Sequence, residues 1–294
     1  AGKYATGSYN TFVGSEAGKG GTTSAPFSSG QLNTAVGANA LDNFTTGGNN
    51  TAIGYGTLGN LNTGVSNTAL GRDAGASLSD ASYTVLIGQD AGGAINNTGA
   101  NGTVVVGTFA GLALTSAAAT IAIGYSAMKV HTTGARNIAI GYGAMDDTDA
   151  GSTSLGSTEN IFIGKDSGGG TWADAASSYN VAIGNNTMDA ALNGALYNMA
   201  MGYGALGALT EGDSNLAIGH GAGTALTTGL GNILLGRGAG DAMTTNSGVI
   251  AIGYSAASAL NNNNGNYSVI IGYEAGQQKT SGNTDHLMGY RSGY

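Results

Sequence analysis

Seven of the fourteen tyrosines directly follow a glycine that closes a short apolar run. They are Tyr55, Tyr125, Tyr142, Tyr203, Tyr254, Tyr273 and Tyr290, with Arg72, Lys165, His220 and Arg237 at equivalent positions. Aromatic rings interspersed with cations can stack on sugar rings or on a cell-surface polymer. Rings at equivalent positions of neighbouring repeats can also pack on one another, and we favour this structural role.

Two segments match the dinucleotide-binding glycine fingerprint, residues 54–59 and residues 202–207. The fingerprint works only between a strand and a helix, and here it arises from the repeat itself with no helix following. The segment Asp146-Asp147-Thr148-Asp149 offers oxygen ligands for Ca²⁺. Its spacing matches neither an EF-hand loop nor a calcium-binding nonapeptide, so we favour a solvated acidic loop.

Catalytic patterns are absent from the sequence. His131, His220 and His286 belong to different repeats, and no Gly-x-Ser-x-Gly segment is present. Acidic residues do not recur in pairs of the kind that cleave glycosides. We therefore predict no catalytic, cofactor-binding or metal-binding residues, and no enzyme activity.

A repeat runs through the whole chain, marked by a glycine after an aliphatic residue. Nine of the fifteen intervals between these repeat glycines are 17 residues, and the others are 18 to 23. Such a period predicts a solenoid in which each repeat stacks on its neighbours. The repeat glycines are Gly14, Gly37, Gly54, Gly71, Gly88, Gly107, Gly124, Gly141, Gly164, Gly184, Gly202, Gly219, Gly236, Gly253, Gly272 and Gly289.

The residues before each repeat glycine have the pattern of a β-strand. The last residue is always aliphatic or Met, and the residue two earlier is Thr in the first four repeats and mostly aliphatic afterwards. Alternation with β-branched enrichment predicts one short strand ending at each glycine. The fold class is therefore all-β, a repetitive parallel β-roll or β-solenoid with about 17 residues per coil.

Four further columns complete the repeat. Alanine dominates between the two aliphatic columns, and a second small-residue column lies three residues after the glycine. The next position, Gly or a long apolar residue such as Leu58 or Met128, suits a second short strand. Another glycine recurs seven residues before the repeat glycine, as at Gly30 and Gly47. We expect both glycine columns to form corners at positive φ.

Asparagine lies four residues before the repeat glycine in ten of the sixteen repeats. A stacked asparagine can satisfy the backbone of adjacent coils, so a structural ladder is favoured over a ligand site. The column contains Asn10, Asn33, Asn50, Asn67, Asn137, Asn160, Asn180, Asn198, Asn215 and Asn232.

Composition narrows the class of protein. The 294 residues include 55 glycines, one proline and no cysteine, and the net charge is -8 with carboxylates scattered. Clustered cations for a nucleic-acid backbone are missing. The uncharged stretch 104–128 is mostly small residues in phase with the repeat, so we expect no membrane insertion. We predict one domain over residues 1–294, cut from a longer chain.

The run Asn-x-Ala-Ile-Gly-x-x-Ala, seen at residues 50–57 and 215–222, resembles the head repeat of trimeric autotransporter adhesins and of phage tail fibres. The resemblance covers nearly the whole chain. It implies a left-handed parallel β-roll, three chains side by side, and attachment to a surface. The period here is longer than the usual adhesin repeat, and no coiled-coil stalk or membrane anchor is visible.

The small-residue columns independently favour association, because an exposed alanine face would be covered if three chains packed together. We expect a homotrimeric, extracellular attachment fibre segment, on a virion or a bacterial surface, that binds a glycan or protein receptor. The alternatives are an ice- or crystal-binding solenoid and a polysaccharide-degrading tail spike. Three long intervals predict loops for binding, residues 19–32, 146–159 and 168–179, the last containing Trp172.

Overall fold

The computed structural model describes residues 1–21, 28–148, 156–173, 175–261, 265–280 and 282–293. Within them the chain is an all-β solenoid of sixteen parallel strands with about 17 residues per coil, as the repeat predicts. It divides into two compact units, Ala1–Gly143 and Ala144–Tyr294. The single domain remains a prediction. Pro26 and Asp149, from two of the expected loops, lie outside the described residues.

The first unit contains eight three-residue strands in its described part, and each pairs in parallel with the next. A 3₁₀ turn, Thr98–Ala100, lies between the fifth and sixth. The strands are β1 (Thr11–Val13), β2 (Thr34–Val36), β3 (Thr51–Ile53), β4 (Thr68–Leu70), β5 (Val85–Ile87), β6 (Val104–Val106), β7 (Ile121–Ile123) and β8 (Ile138–Ile140).

The second unit repeats this arrangement, with eight strands among its described residues paired in the same sequential order. They are β9 (Ile161–Ile163), β10 (Val181–Ile183), β11 (Met199–Met201), β12 (Leu216–Ile218), β13 (Ile233–Leu235), β14 (Ile250–Ile252), β15 (Val269–Ile271) and β16 (His286–Met288).

Equivalent positions of successive repeats stack on one another. Ile123 pairs with Ile140, and Ala122 with Ala139. Stacking continues outside the strands, where the backbone N–H of Gly111 donates to the carbonyl of Ala127 at 2.8 Å. The turns are therefore hydrogen-bonded from coil to coil in the same way as the sheet.

The alanine between the two aliphatic columns points into the coil. Ala35, Ala52 and Ala122, at strand centres, are fully buried, and so are Ala40 and Ala91 of the second small column. The expectation that the alanine columns form an exposed face is therefore wrong. Side chains of a strand alternate between its two faces, and here the small residue faces the narrow interior while the aliphatic residues face outward.

The prediction of a second strand in each coil is also wrong for the described residues. The long apolar residues at that position are fully buried, and they lie in a turn with left-handed backbone, as at Leu58 (φ 50°) and Met128 (φ 52°). Where the strand centre is large, glycine takes this position instead. A Cβ at Gly240 would lie 2.9 Å from Leu234 Cδ2, so one site or the other fills the same interior volume.

The two glycine columns exist for different reasons. The repeat glycines have φ between 119° and 144°, as predicted, and a Cβ at Gly124 would also lie 2.2 Å from the carbonyl oxygen of Gly141. Positive φ does not explain Gly30 and Gly47, for which that prediction is wrong. There a Cβ would lie 2.0 and 2.5 Å, respectively, from the carbonyl oxygen of the next coil. Close approach of stacked backbones therefore selects glycine at these two positions. Gly265 and Gly282 of the same column do have positive φ, 100° and 104°.

Candidate functional site on the outward face

The outward face of the strands carries an apolar surface that its own chain does not cover. We call the first and third residues of each strand the aliphatic stripe. These side chains are half-buried or exposed, in contrast to the buried strand centres; Leu70 and Met201 are exposed by 45% and 42%. The stripe contains no Asp, Glu, Lys or Arg, and its polar members are Thr11, Thr34, Thr51, Thr68 and His286.

A row of tyrosines follows the carboxyl ends of the strands. This carboxyl-end row holds the sequence candidates, all with exposed side chains: Tyr55, Tyr125, Tyr142, Tyr203, Tyr254, Tyr273 and Tyr290. Tyr125 stacks on Tyr142 with ring centroids 5.3 Å apart, and Tyr254 stacks on Tyr273 at 5.0 Å. The rings thus pack on one another and still present their edges and outer faces to solvent.

The cations in this row are held by neighbours. Lys165 pairs with Asp166 at 2.7 Å, and Arg72 lies 3.4 Å from Asp73. Arg237 lies over the ring of Tyr254 at 5.4 Å. The row therefore offers aromatic surface with its positive charge partly neutralised.

A second tyrosine row borders the other side of the strands, and the sequence reasoning missed it. Tyr9, Tyr83, Tyr179, Tyr197 and Tyr267 each lie five residues before a repeat glycine, and all are exposed. Tyr179 stacks on Tyr197 with centroids 5.0 Å apart. This amino-end row has left-handed backbone, with φ near 60°. The constant spacing to the repeat glycine was the signal that could have revealed it.

Trp172 is not a surface residue. Its side chain is fully buried, packs edge-on against Phe162 at 5.6 Å, and donates its indole N–H to the carbonyl of Gly168 at 3.0 Å. The prediction that Trp172 binds a surface is therefore wrong. The long interval that contains Trp172 lets its ring fold back into the core beside Phe162, the central residue of the strand in this coil.

The asparagine column lies in the interior and joins coil to coil. Asn50 Oδ1 accepts from the backbone N–H of Asn67 at 2.9 Å, and its Nδ2 donates to the carbonyl of Gly64 at 3.0 Å. The same contacts recur in the second unit, where Asn198 Oδ1 accepts from the N–H of Asn215 at 3.0 Å. These side chains are buried and hydrogen-bonded to the structure itself, so they offer nothing to a ligand. Of the ten members, Asn10 is half-buried and the other nine are buried: Asn33, Asn50, Asn67, Asn137, Asn160, Asn180, Asn198, Asn215 and Asn232.

A group of carboxylates lies near the start of the second unit. Burial and the charges of Asp166 and Asp147 raise the pKa of Asp146 to about 6, and burial raises the pKa of Asp189. Within the described parts of the chain, no group of three or more His, Asp or Glu side chains is arranged to hold a metal ion. Nor does any helix in those parts have the length and apolar content needed to cross a membrane.

Neither protein-family models nor curated proteins give a match to this chain. The likeness to adhesin and tail-fibre repeats therefore rests on the repeated motif alone.

Proposed function

We propose that this chain is a segment of an extracellular attachment fibre that assembles as a homotrimer through its aliphatic stripe and binds a cell-surface glycan or protein receptor. Its role is structural and adhesive rather than enzymatic. The observation that carries the proposal is the stripe, an exposed apolar surface repeated coil after coil in each unit.

A parallel sheet normally has both faces covered. Here the inner face is covered by the turns of the same coil, while the outer face carries residues such as Ile123 and Ile140. Contiguous exposed apolar surface of this kind typically marks an interaction site.

A second copy of this chain is the partner that fits best. Strands stacked about 4.8 Å apart give the eight coils of one unit a stripe of roughly 34 Å. A partner must present apolar side chains at the same spacing over that length, and the chain's own stripe does so. Stripes meeting around a symmetry axis would bury each other, and the family resemblance favours three chains.

Such an assembly would bury the stripe and leave the tyrosine rows along its borders free to contact a receptor. Exposed tyrosines supply large contact area with little loss of side-chain entropy, which suits a binding surface. We therefore assign receptor contact to the tyrosine rows. The setting we propose is a phage tail fibre or a bacterial surface adhesin.

Binding of labelled protein to intact cells tests this function. Flow cytometry across a panel of Gram-negative and Gram-positive cells should show saturable binding that unlabelled protein displaces. The double variant Tyr254→Ser/Tyr273→Ser should weaken binding about tenfold, which is the loss of two aromatic contacts. The control Asn60→Ser, on an exposed turn, should leave it unchanged.

Failure to bind any cell type in saturable fashion would contradict adhesion. Release of soluble sugars from surface polysaccharide would contradict the non-enzymatic role, and shaping of ice crystals by the protein would favour the ice-binding alternative. Full binding by the tyrosine double variant would be consistent with adhesion but would contradict receptor contact through the carboxyl-end row.

A further inference from the structure

One stretch of the second unit departs from the repeat in a way that opens a groove. The position two residues after the repeat glycine carries a side chain in most coils, but it is glycine in three successive coils, at Gly204, Gly221 and Gly238. All three have left-handed backbone, and so do Asn186 and Ser255 at the same position in the flanking coils. The backbone therefore does not require glycine here.

Packing does not require these glycines either. A Cβ at Gly221 would meet nothing within 4 Å, and a Cβ at Gly204 would have Thr224 Oγ1 as its nearest neighbour at 3.9 Å. Only at Gly238 would a Cβ be close to a neighbour, at 3.3 Å from Asp241 Oδ2, the end of a side chain. The missing side chains instead leave a cavity of about 390 Å³ along the surface. Its size lies within the range of small-molecule sites.

One wall of the groove is aromatic and cationic. Tyr203 stacks on His220 with centroids 5.2 Å apart and an interplanar angle of 19°. In the next two coils Arg237 lies over the ring of Tyr254 and donates from Nη1 to its hydroxyl at 3.0 Å. This hydrogen bond holds the Arg237 guanidinium beside the Tyr254 ring, and the other N–H groups of the guanidinium can donate to a ligand.

The lining of the groove also contains polar side chains. Thr224 and Asp241 lie five residues after their repeat glycines and line the same cavity. Burial raises the pKa of Asp241, and hydrogen bonds from the backbone at residues 241 and 242 favour its ionised form. A carboxylate accepts strong hydrogen bonds from hydroxyl groups. The groove thus combines stacked aromatic rings with a carboxylate that can accept hydrogen bonds from hydroxyl groups.

We propose that this groove binds a neutral pyranose unit of a glycan, with the sugar ring against the Tyr203–His220 stack and its hydroxyls toward Asp241 and Arg237. A pyranose has an apolar face for dispersion contact with an aromatic ring and hydroxyls that both donate and accept. The lining contains one carboxylate and one guanidinium, Asp241 and Arg237, so their formal charges cancel and favour a neutral sugar over an anionic one. The proposal names the receptor class and rests on the proposed adhesive function for its biological role.

Saturation-transfer NMR and calorimetry with methyl glycosides of glucose, galactose, mannose and N-acetylglucosamine test the site directly. At least one should bind the purified full chain with a dissociation constant on the order of 1 mM, which is about 4 kcal/mol of binding free energy. Gly221→Asn fills the groove with a residue that the same backbone already accommodates at Asn186. It should weaken binding about tenfold or more.

Gly102→Asn in the first unit is the matched control, because Gly102 also has left-handed backbone, with φ 73°, and a Cβ there would also meet nothing within 4 Å. It should leave sugar binding unchanged. Tyr203→Ser is the second groove variant and removes the stacking surface without touching the core. If Gly221→Asn lowers the melting temperature, loss of binding in Tyr203→Ser still supports the site.

The proposal is overturned if no neutral glycoside binds, if both groove variants bind as well as the parent, or if glucuronic or sialic acid binds more tightly than every neutral sugar. Cell binding separates this result from the fibre function. A parent protein that binds cells but no sugar refutes the groove alone, whereas one that binds sugar but no cells refutes the adhesive role.

Discussion

At the scale of single residues, the interior is filled by a reciprocal choice between two positions. Ala200 at a strand centre accompanies Leu206 six residues later, whereas Leu234 accompanies Gly240. Both arrangements bring one long side chain into the same layer of the coil. Core volume therefore explains glycine at the later position wherever the strand centre is large. In two coils with alanine at the centre the later position is also glycine, and a long side chain of the next coil takes the space, as Leu234 does beside Gly223.

Exchanging the two positions of one coil tests this account. Leu234→Ala should lower the free energy of unfolding by about 3 kcal/mol, because it leaves a cavity. The double variant Leu234→Ala/Gly240→Leu should recover at least half of that loss, since it recreates the Ala200 and Leu206 arrangement. Denaturant unfolding measures both. Gly240→Leu alone should destabilise the parent by overpacking, and a double variant no more stable than Leu234→Ala would contradict the exchange.

His131 occupies a core position that leucine fills in the preceding coil, at Leu114. It is fully buried, with Nε2 2.9 Å from the carbonyl of Gly134, and burial lowers its pKa. Below the ordinary histidine pKa of about 6.5, the unfolded chain binds a proton that the folded chain does not. The titration of His131 therefore leaves the free energy of unfolding unchanged above that pH and lowers it as the pH drops below 6.5.

His131→Leu should remove this pH dependence. As the pH falls from 6.5 towards the lowered pKa of His131, the parent should lose about 1.4 kcal/mol of unfolding free energy per pH unit relative to the variant. Thermal or denaturant unfolding at pH 8, 6 and 5 measures the difference. Parallel pH profiles for the two proteins would show that His131 does not titrate in this way.

At the scale of the element, sequence spacing was enough to predict the strands and the repeat glycines. The three left-handed positions in each coil were not predictable, because many are ordinary residues such as Leu58, Tyr83 and Asn186. Hydrogen bonds to the next coil and burial stabilise this backbone against its local cost. The direction of the alanine face was also misjudged, since alternation alone does not say which face is inside.

A comparison of two glycines separates the effect of positive φ from the effect of close contact with the next coil. Gly124 has φ 134° and a Cβ there would lie 2.2 Å from the Gly141 carbonyl, whereas Gly102 has φ 73° and nothing within 4 Å. Gly124→Ala should cost at least about 3 kcal/mol, because it forces neighbouring coils apart. Gly102→Ala should cost about 1 kcal/mol, the usual penalty for a left-handed alanine. Equal losses in denaturant unfolding would mean that coil contact is not the cause.

At the scale of the whole molecule, the candidate surface was only partly predictable. The carboxyl-end tyrosines follow a conspicuous glycine and were identified, whereas the amino-end tyrosines recur in only some coils. Trp172 was misjudged because composition marked its segment as a loop, while its ring packs against Phe162. The groove beside Tyr203 depends on glycines that elsewhere in the repeat look ordinary, so only the arrangement of side chains reveals it.

Sedimentation equilibrium of the purified chain tests the central claim, that the aliphatic stripe joins copies of this protein. We expect a single species with three times the 28.6 kDa mass of one chain. Burial of the stripe should keep that species intact at micromolar concentration and in high salt, because apolar contacts are not screened. A particle with the mass of one chain at these concentrations would contradict the assembly and leave the stripe without its proposed partner.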